Sequence, residues 1–136
     1  WVSGLARAQQ LSTAIQHLRP DLPFARIDAR LNEMHFGQWE LVAWNAIPRS
    51  AFDAWMADFA HHHFGGVEST QDVITRVSGA LHELRSTPAS EAVWVTHAGV
   101  IRAVQYLGLQ GEKPIQQVSE WPAYAPEPGG HLCLNL

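Results

Sequence analysis

The run from Val93 to Leu107, VWVTHAGVIRAVQYL, changes character in its middle. Val93 to Thr96 is apolar or β-branched and reads as a buried strand. Val100 to Leu107 repeats apolar residues at helical spacing. Between the two stand His97, Ala98 and Gly99. A short strand passing through a glycine straight into a helix is the building step of an open parallel α/β sheet. Such sheets bind ligands in the crevice beyond the strand ends. A titratable ring at this junction is therefore a candidate functional group. A histidine that merely caps a strand is equally compatible with the pattern.

The remaining segments favour the same class. Leu5, Ala8, Leu11, Ile15 and Leu18 recur at helical spacing, and Arg19-Pro20-Asp21-Leu22-Pro23 ends that helix. Phe24 to Ile27 reads as a short strand. Leu31 to Glu40 follows neither period and reads as an ordered loop. Pro48 suits the first turn of a helix whose apolar stripe is Phe52, Trp55, Met56 and Phe59. His61-His62-His63-Phe64-Gly65-Gly66 breaks it. Ser69 and Asp72 form a capping box ahead of Val73, Val77, Leu81 and Leu84. Ser86 to Ser90 is a turn. The tail from Glu127 to Leu136 offers a turn and an edge strand. Helices alternating with short apolar strands favour an α/β fold with a mostly parallel sheet. The 136 residues fit a single domain, 1–136.

Charge narrows the partners. Nine basic and 13 acidic side chains give a net charge of −4 without a basic block, so nucleic acid is not an expected partner. A small anionic ligand stays open, because a local pocket can be positive on a mildly acidic protein. The lone Cys133 excludes an intrachain disulfide and any cysteine-based metal or redox motif. This suits a reducing compartment, and a cytoplasmic location is expected. No apolar run approaches the ~20 residues of a membrane span, so no membrane partner is expected. The chain opens on Trp1-Val2-Ser3-Gly4-Leu5, which reads as the end of a strand entering a helix. The expectation is that a preceding segment is missing.

Several side chains could carry chemistry. His97, with Gly99 allowing close backbone approach and the next helix offering free N–H groups, suits an anion site. Arg7 lies one turn into the first helix, where a guanidinium can grip a phosphate through two parallel bonds or simply be solvated. Glu33 sits in Leu31-Asn32-Glu33-Met34-His35-Phe36-Gly37-Gln38-Trp39-Glu40. An apolar setting, supplied by Phe36, Trp39 and Trp44, raises a carboxyl pKa and suits a general acid. A surface glutamate is the alternative. His35, Glu40 and Glu68 are weaker candidates, and Glu68 either caps the following helix or contacts a substrate. His61 to His63 point different ways on a helix and serve a tetrahedral metal site badly. No metal site and no cofactor are expected.

Four stretches in order, SGLARAQQLSTAI, LNEMHFGQWE, GGVESTQDVITRV and VTHAGVIRAV, resemble the histidine phosphatase superfamily, also called phosphoglycerate mutase-like. They touch most of Val2 to Val104. SGLARAQQLSTAI departs from S-P-L-x-R-A-x-Q-T-A by Gly4 for proline and Leu11-Ser12 for threonine. LNEMHFGQWE is most similar to the alpha-ribazole phosphatase branch, and Gly66-Val67-Glu68-Ser69 loosens that branch's G-E-S. Mutases of the superfamily carry a longer insertion than the 64 positions between Glu33 and His97. The resemblance implies a three-layer α/β/α fold and metal-free phosphoryl transfer through a phosphohistidine, with possible substrates from alpha-ribazole phosphate, in cobalamin biosynthesis, to phosphomonoesters in general. It implies that Arg7 binds phosphoryl oxygens, that Glu33 protonates the leaving oxygen, and that His97 stabilises the transferring group. Ala98, Gly99 and Glu68 would touch substrate. The partner would be a small phosphorylated metabolite, and homo-oligomer formation is left open.

The Arg-His-Gly motif that supplies the nucleophile in that superfamily is absent from residues 1–136. A strand, loop and helix of roughly 30 residues or more would be needed to carry it. The expectation is that the chain is N-terminally incomplete, with its nucleophile upstream of residue 1. Phosphoglycerate mutase-type transfer and an inactive phosphate-binding or interaction module are the alternatives.

Overall fold

The computed structural model describes residues 1–135. Among the described residues four α-helices run in order: α1 (Ala6–Leu18), α2 (Arg49–Ala57), α3 (Thr70–Arg85) and α4 (Ala98–Gln110). Short 3-10 turns occupy Ala29–Leu31, Gly37–Trp39, Trp44–Ala46 and Val118–Glu120. Among the described residues no helix is long and apolar enough to cross a membrane.

The α3–α4 pair makes the core. Val73, Ile74, Val77, Ala80 and Leu81 of α3 are buried, as are Val100, Ala103, Val104, Tyr106 and Leu107 of α4. Both sets recur at three- and four-residue spacing, which puts each on one helix face. The Ser69–Asp72 capping box is present and starts α3. Leu31, fully buried, plugs the turn Ala29–Leu31 into the same core. Phe64 is also fully buried, with Phe36, Trp44, Phe52 and Trp55 around it. Complete burial of one such side chain is worth about 1.5–3 kcal/mol. Gly37 and Gly65 let the loop after Glu33 lie directly on the turn after Phe64. Both have positive φ, and a Cβ on either would collide with backbone of the other segment.

The expected α/β/α sandwich with a mostly parallel sheet is overturned. Among the described residues there is no strand and no sheet. Two isolated parallel bridges, Val2 to Ile27 and Val2 to Val95, are the only β contacts there. Val2 accepts from Asp28 N–H at 2.8 Å and donates to Arg26 at 2.8 Å. Ser3 N–H bonds Val95 O, and Val95 N–H bonds Trp1 O, each at 2.9 Å. The reason lies in burial. Parallel strands need apolar cover on both faces, but Phe24, Ile27 and Val93 are 89%, 59% and 61% exposed. The apolar runs at Phe24–Ile27 and Val93–Thr96 thus meet at single residues and do not extend into ladders. The tail forms a turn at Gly129 but no strand over residues 131–135, and Leu136 lies outside the described residues.

Other differences are smaller. α1 forms as its spacing requires, yet only Ala8 on it is buried, and Leu11 and Leu18 face solvent. Pro48 is the N-cap of α2, one position before its first turn. Phe59 lies beyond the end of α2 and is buried, whereas Met56 is exposed.

Candidate functional site

Three segments that are distant in sequence meet beside the start of α4. His97 is the N-cap of α4, in extended conformation, and its ring is half-buried. Its Nε2 lies 2.8 Å from Ser3 Oγ. Ser3 is fully buried, held there by the backbone bond between its N–H and Val95. The Ser3 hydroxyl donates to Asn32 Oδ1 at 3.0 Å, and Gly4 N–H donates to the same oxygen at 2.7 Å. The residue after Asn32 is Glu33. Its Oε1 accepts from Met34 N–H at 3.0 Å and its Oε2 from Gly99 N–H at 3.3 Å.

Gly99 is glycine for a reason specific to this contact. A Cβ there would collide with Glu33 Oε1. By sequence, Gly99 makes room for a ligand at the α4 N-terminus. The structure puts the Glu33 carboxylate there, where a free N–H of the first turn of α4 bonds it.

In front of Glu33 opens a cleft of about 680 Å³, lined by Arg7, Glu33, Glu68 and Arg76 together with Met34 and Phe36. His97, Ala98 and Gly99 are not on its lining; Gly99 is joined to it through Glu33, and His97 through Ser3 and Asn32. Arg7 is exposed, and among the described residues it has no hydrogen-bond or ion-pair partner. Trp39 and Trp44 line a smaller adjoining hollow of about 130 Å³. Of the three aromatic groups expected around Glu33, Phe36 alone lines both spaces.

Glu68 is engaged by protein groups. It accepts from Arg76 Nε at 2.6 Å, from Arg76 Nη2 at 3.2 Å and from His35 N–H at 2.9 Å. Arg76 also donates to Arg30 O at 2.6 Å. Both side chains of the pair are largely buried, at 19% and 16% exposure. The pair therefore moors the Arg30–His35 segment, with Glu33 between its two anchor points, to α3. The cap of α3 is made by Ser69 and Asp72, so Glu68 is not its cap.

Electrostatics at His97 follow from this arrangement. Burial first, then the positive charges of Arg7 and Arg76, push its pKa down to about 4 from 6.5. The imidazole is neutral at pH 7. It reaches an anion as a polar group whose charge can still appear when a negative partner arrives.

Arg7, Glu33 and Glu68 thus share one cleft, and His97 with Gly99 adjoins it. Three residues of the site do not stand out in the sequence: Ser3, Asn32 and Arg76. Asn32 adjoins Glu33, which does, and Ser3 lies in the same strand-to-helix junction as Arg7. Arg76 carries no signal, because an arginine inside a helix reads as solvated. His61 to His63 carry no cluster. His63 Nε2 lies 3.4 Å from Asp72 Oδ2, and among the described residues no group of three or more His, Cys, Asp or Glu could hold a metal ion.

Comparison with families of known proteins matches residues 1–122 to the histidine phosphatase superfamily (branch 1). Comparison with curated proteins found no match, and neither did comparison with solved structures.

Proposed function

Since the chain belongs to the histidine phosphatase superfamily, whose membership supports phosphatase- or phosphotransferase-type chemistry, we propose that the cleft receives the phosphoryl group of a small phosphomonoester for hydrolysis through a phosphohistidine. The observation that carries this reading is Arg7, a guanidinium without a protein partner among the described residues, on the wall of a cleft that also holds Glu33. Phosphoryl transfer needs positive charge on the equatorial oxygens and a positioned proton donor. Arg7 supplies the first. Glu33, steadied by Gly99 N–H, is the acid for the leaving oxygen and the base for water in the second step. His97, adjoining Glu33, stabilises the transferring group. The attacking histidine lies outside residues 1–136 in this reading, because they contain no Arg-His-Gly. A covalent intermediate divides the reaction into two easier displacements. Alpha-ribazole phosphate is one candidate substrate within the class. Glu68 is assigned to mooring the acid loop, since its oxygens are already bonded.

A second reading is a phosphate-binding module without turnover. Titration of the 136-residue chain with inorganic phosphate, followed by tryptophan fluorescence, tests what the two share. Saturable binding is expected, weakened at least tenfold by Arg7→Ala; equal binding by that variant rejects the assignment. Hydrolysis of an aryl phosphate by the protein containing this chain, unchanged by EDTA and reduced by Glu33→Gln, separates the enzyme from the module.

A further inference from the structure

The polar groups around His97 admit one arrangement of protons. Gly4 N–H points at the Asn32 side-chain amide at 2.7 Å, and a backbone N–H only donates, so the atom it meets is the carbonyl oxygen. That oxygen carries no hydrogen. The Ser3 hydroxyl, 3.0 Å from it, must therefore donate its single proton to Asn32. Ser3 Oγ then has only lone pairs left for its other neighbours. One takes Leu5 N–H at 3.1 Å. The other faces His97 Nε2 at 2.8 Å, which is a hydrogen bond only if Nε2 carries a proton. We infer that Ser3 and Asn32 lock His97 as the Nε2–H tautomer, so that Nδ1 is the nitrogen it offers to an arriving phosphoryl group.

The consequence concerns proton flow. With Nε2 committed, a neutral His97 can only accept at Nδ1, which has no partner among the described residues. It cannot donate to a phosphoryl oxygen until it is protonated there. A monoanionic phosphate brings that proton. Its P–O–H donates to Nδ1; transfer breaks the O–H bond and forms Nδ1–H. Charges of −1 and 0 become −2 and +1, and the dianion lies beside an imidazolium. Burial, and then Arg7 and Arg76, oppose this charge, and the dianion supplies the compensating negative charge. Ser3 and Asn32 are positioning residues here, acting through His97. The lock stands on the hydrogen bonds alone, whereas the proton transfer rests on the phosphoryl reading of the cleft.

Nitrogen-15 NMR of the full chain, labelled at histidine, tests both parts at pH 6 to 7, with His97→Gln identifying the resonances. In the unliganded protein, His97 is expected to show one protonated Nε2 and one bare Nδ1. Ser3→Ala and Asn32→Ala each release the lock, so the two nitrogens should move towards a common average. Ser3→Thr, which keeps the hydroxyl, should restore the separation. Averaged nitrogens in the parent, or a proton on Nδ1, overturn the lock. A separation that survives both alanine variants overturns the roles of Ser3 and Asn32. Adding inorganic phosphate should move Nδ1 towards its protonated position and leave Nε2 in place. A locked tautomer blind to phosphate rejects the proton transfer. If phosphate still binds by fluorescence in that case, the phosphoryl reading survives; if it does not, that reading falls instead.

Discussion

At the scale of single residues, the contact between Glu33 and Gly99 sets two opposed effects against each other. Alanine at position 99 gains up to about 1 kcal/mol from helix propensity. Its Cβ would collide with Glu33 Oε1 and drive the carboxylate off Gly99 N–H. A hydrogen bond to a charged group is worth about 1.5–3 kcal/mol. The loss should win, and Gly99→Ala is expected to destabilise by about 1 kcal/mol in urea unfolding. The sign depends on the partner. In a Glu33→Ala background the clash and the bond are both gone, so the same change should stabilise by up to about 1 kcal/mol. A double-mutant cycle showing no change of sign would mean that Glu33 does not reach α4. The residues of this contact were legible because a carboxylate in an apolar loop and a glycine at a helix start are unusual enough to notice. Ser3 and Asn32 were not, since a serine and an asparagine acquire meaning only through the donors and acceptors around them.

At the scale of elements, the beginning of α3 is the most strongly specified. Asp72 Oδ2 accepts from Ser69 N–H at 2.9 Å and from the Ser69 hydroxyl at 2.7 Å, and Asp72 N–H lies 3.2 Å from Ser69 Oγ. These bonds, the hydroxyl first, hold the Asp72 carboxyl below its usual pKa. Replacing an N-cap serine by alanine costs about 1 kcal/mol. Ser69→Ala is expected to lower stability by that amount and to leave the His97 tautomer untouched, because Arg76 and Glu68 keep their own bonds. Loss of the tautomer in Ser69→Ala would show that the site depends on the cap itself. Such a cap is local, confined to one turn of chain, and is legible directly. The helices were legible for the same reason: their periods are contained within themselves. The strands failed because pairing is not local. Val93 and Ile27 have strand-like neighbours in sequence, yet their exposure leaves each segment a single bridge.

At the scale of the whole molecule, stability should fall in two stages as pH is lowered. His97 gives the first. Its pKa is about 4 in the folded chain against 6.5 for the free side chain. Below pH 6.5 the unfolded chain takes up a proton that the folded chain refuses, so stability is lost until pH passes about 4. At about 1.36 kcal/mol per unit the ceiling is about 3.4 kcal/mol, and solvent screening of the half-buried ring keeps the loss below it. Asp28 gives the second. Its carboxylate accepts from Arg30 N–H, from the Arg30 guanidinium and from Arg26 Nη2, while both arginines also reach Glu83 on α3. With Asp28 N–H on Val2, this network ties the bridged segments to the helical core. Its pKa is lowered from 3.8 to about 2, chiefly by the Arg30 side chain. Stability from this group is present above pH 3.8 and is lost as pH falls through about 2. The amount is about 2 kcal/mol on the same conversion. Urea unfolding between pH 7.5 and 2, followed by tryptophan fluorescence, should resolve both stages. His97→Gln should remove the decline between pH 6.5 and 4 and leave the lower one; Asp28→Asn should do the reverse. Because the Asp28 side chain is only 8% exposed and joins two regions, its loss at acid pH should uncouple the Val2 bridges before α3 and α4 separate. Amide exchange at Val95 and Asp28 rising ahead of exchange at Val77 would bear that order out, and simultaneous exchange would refute it.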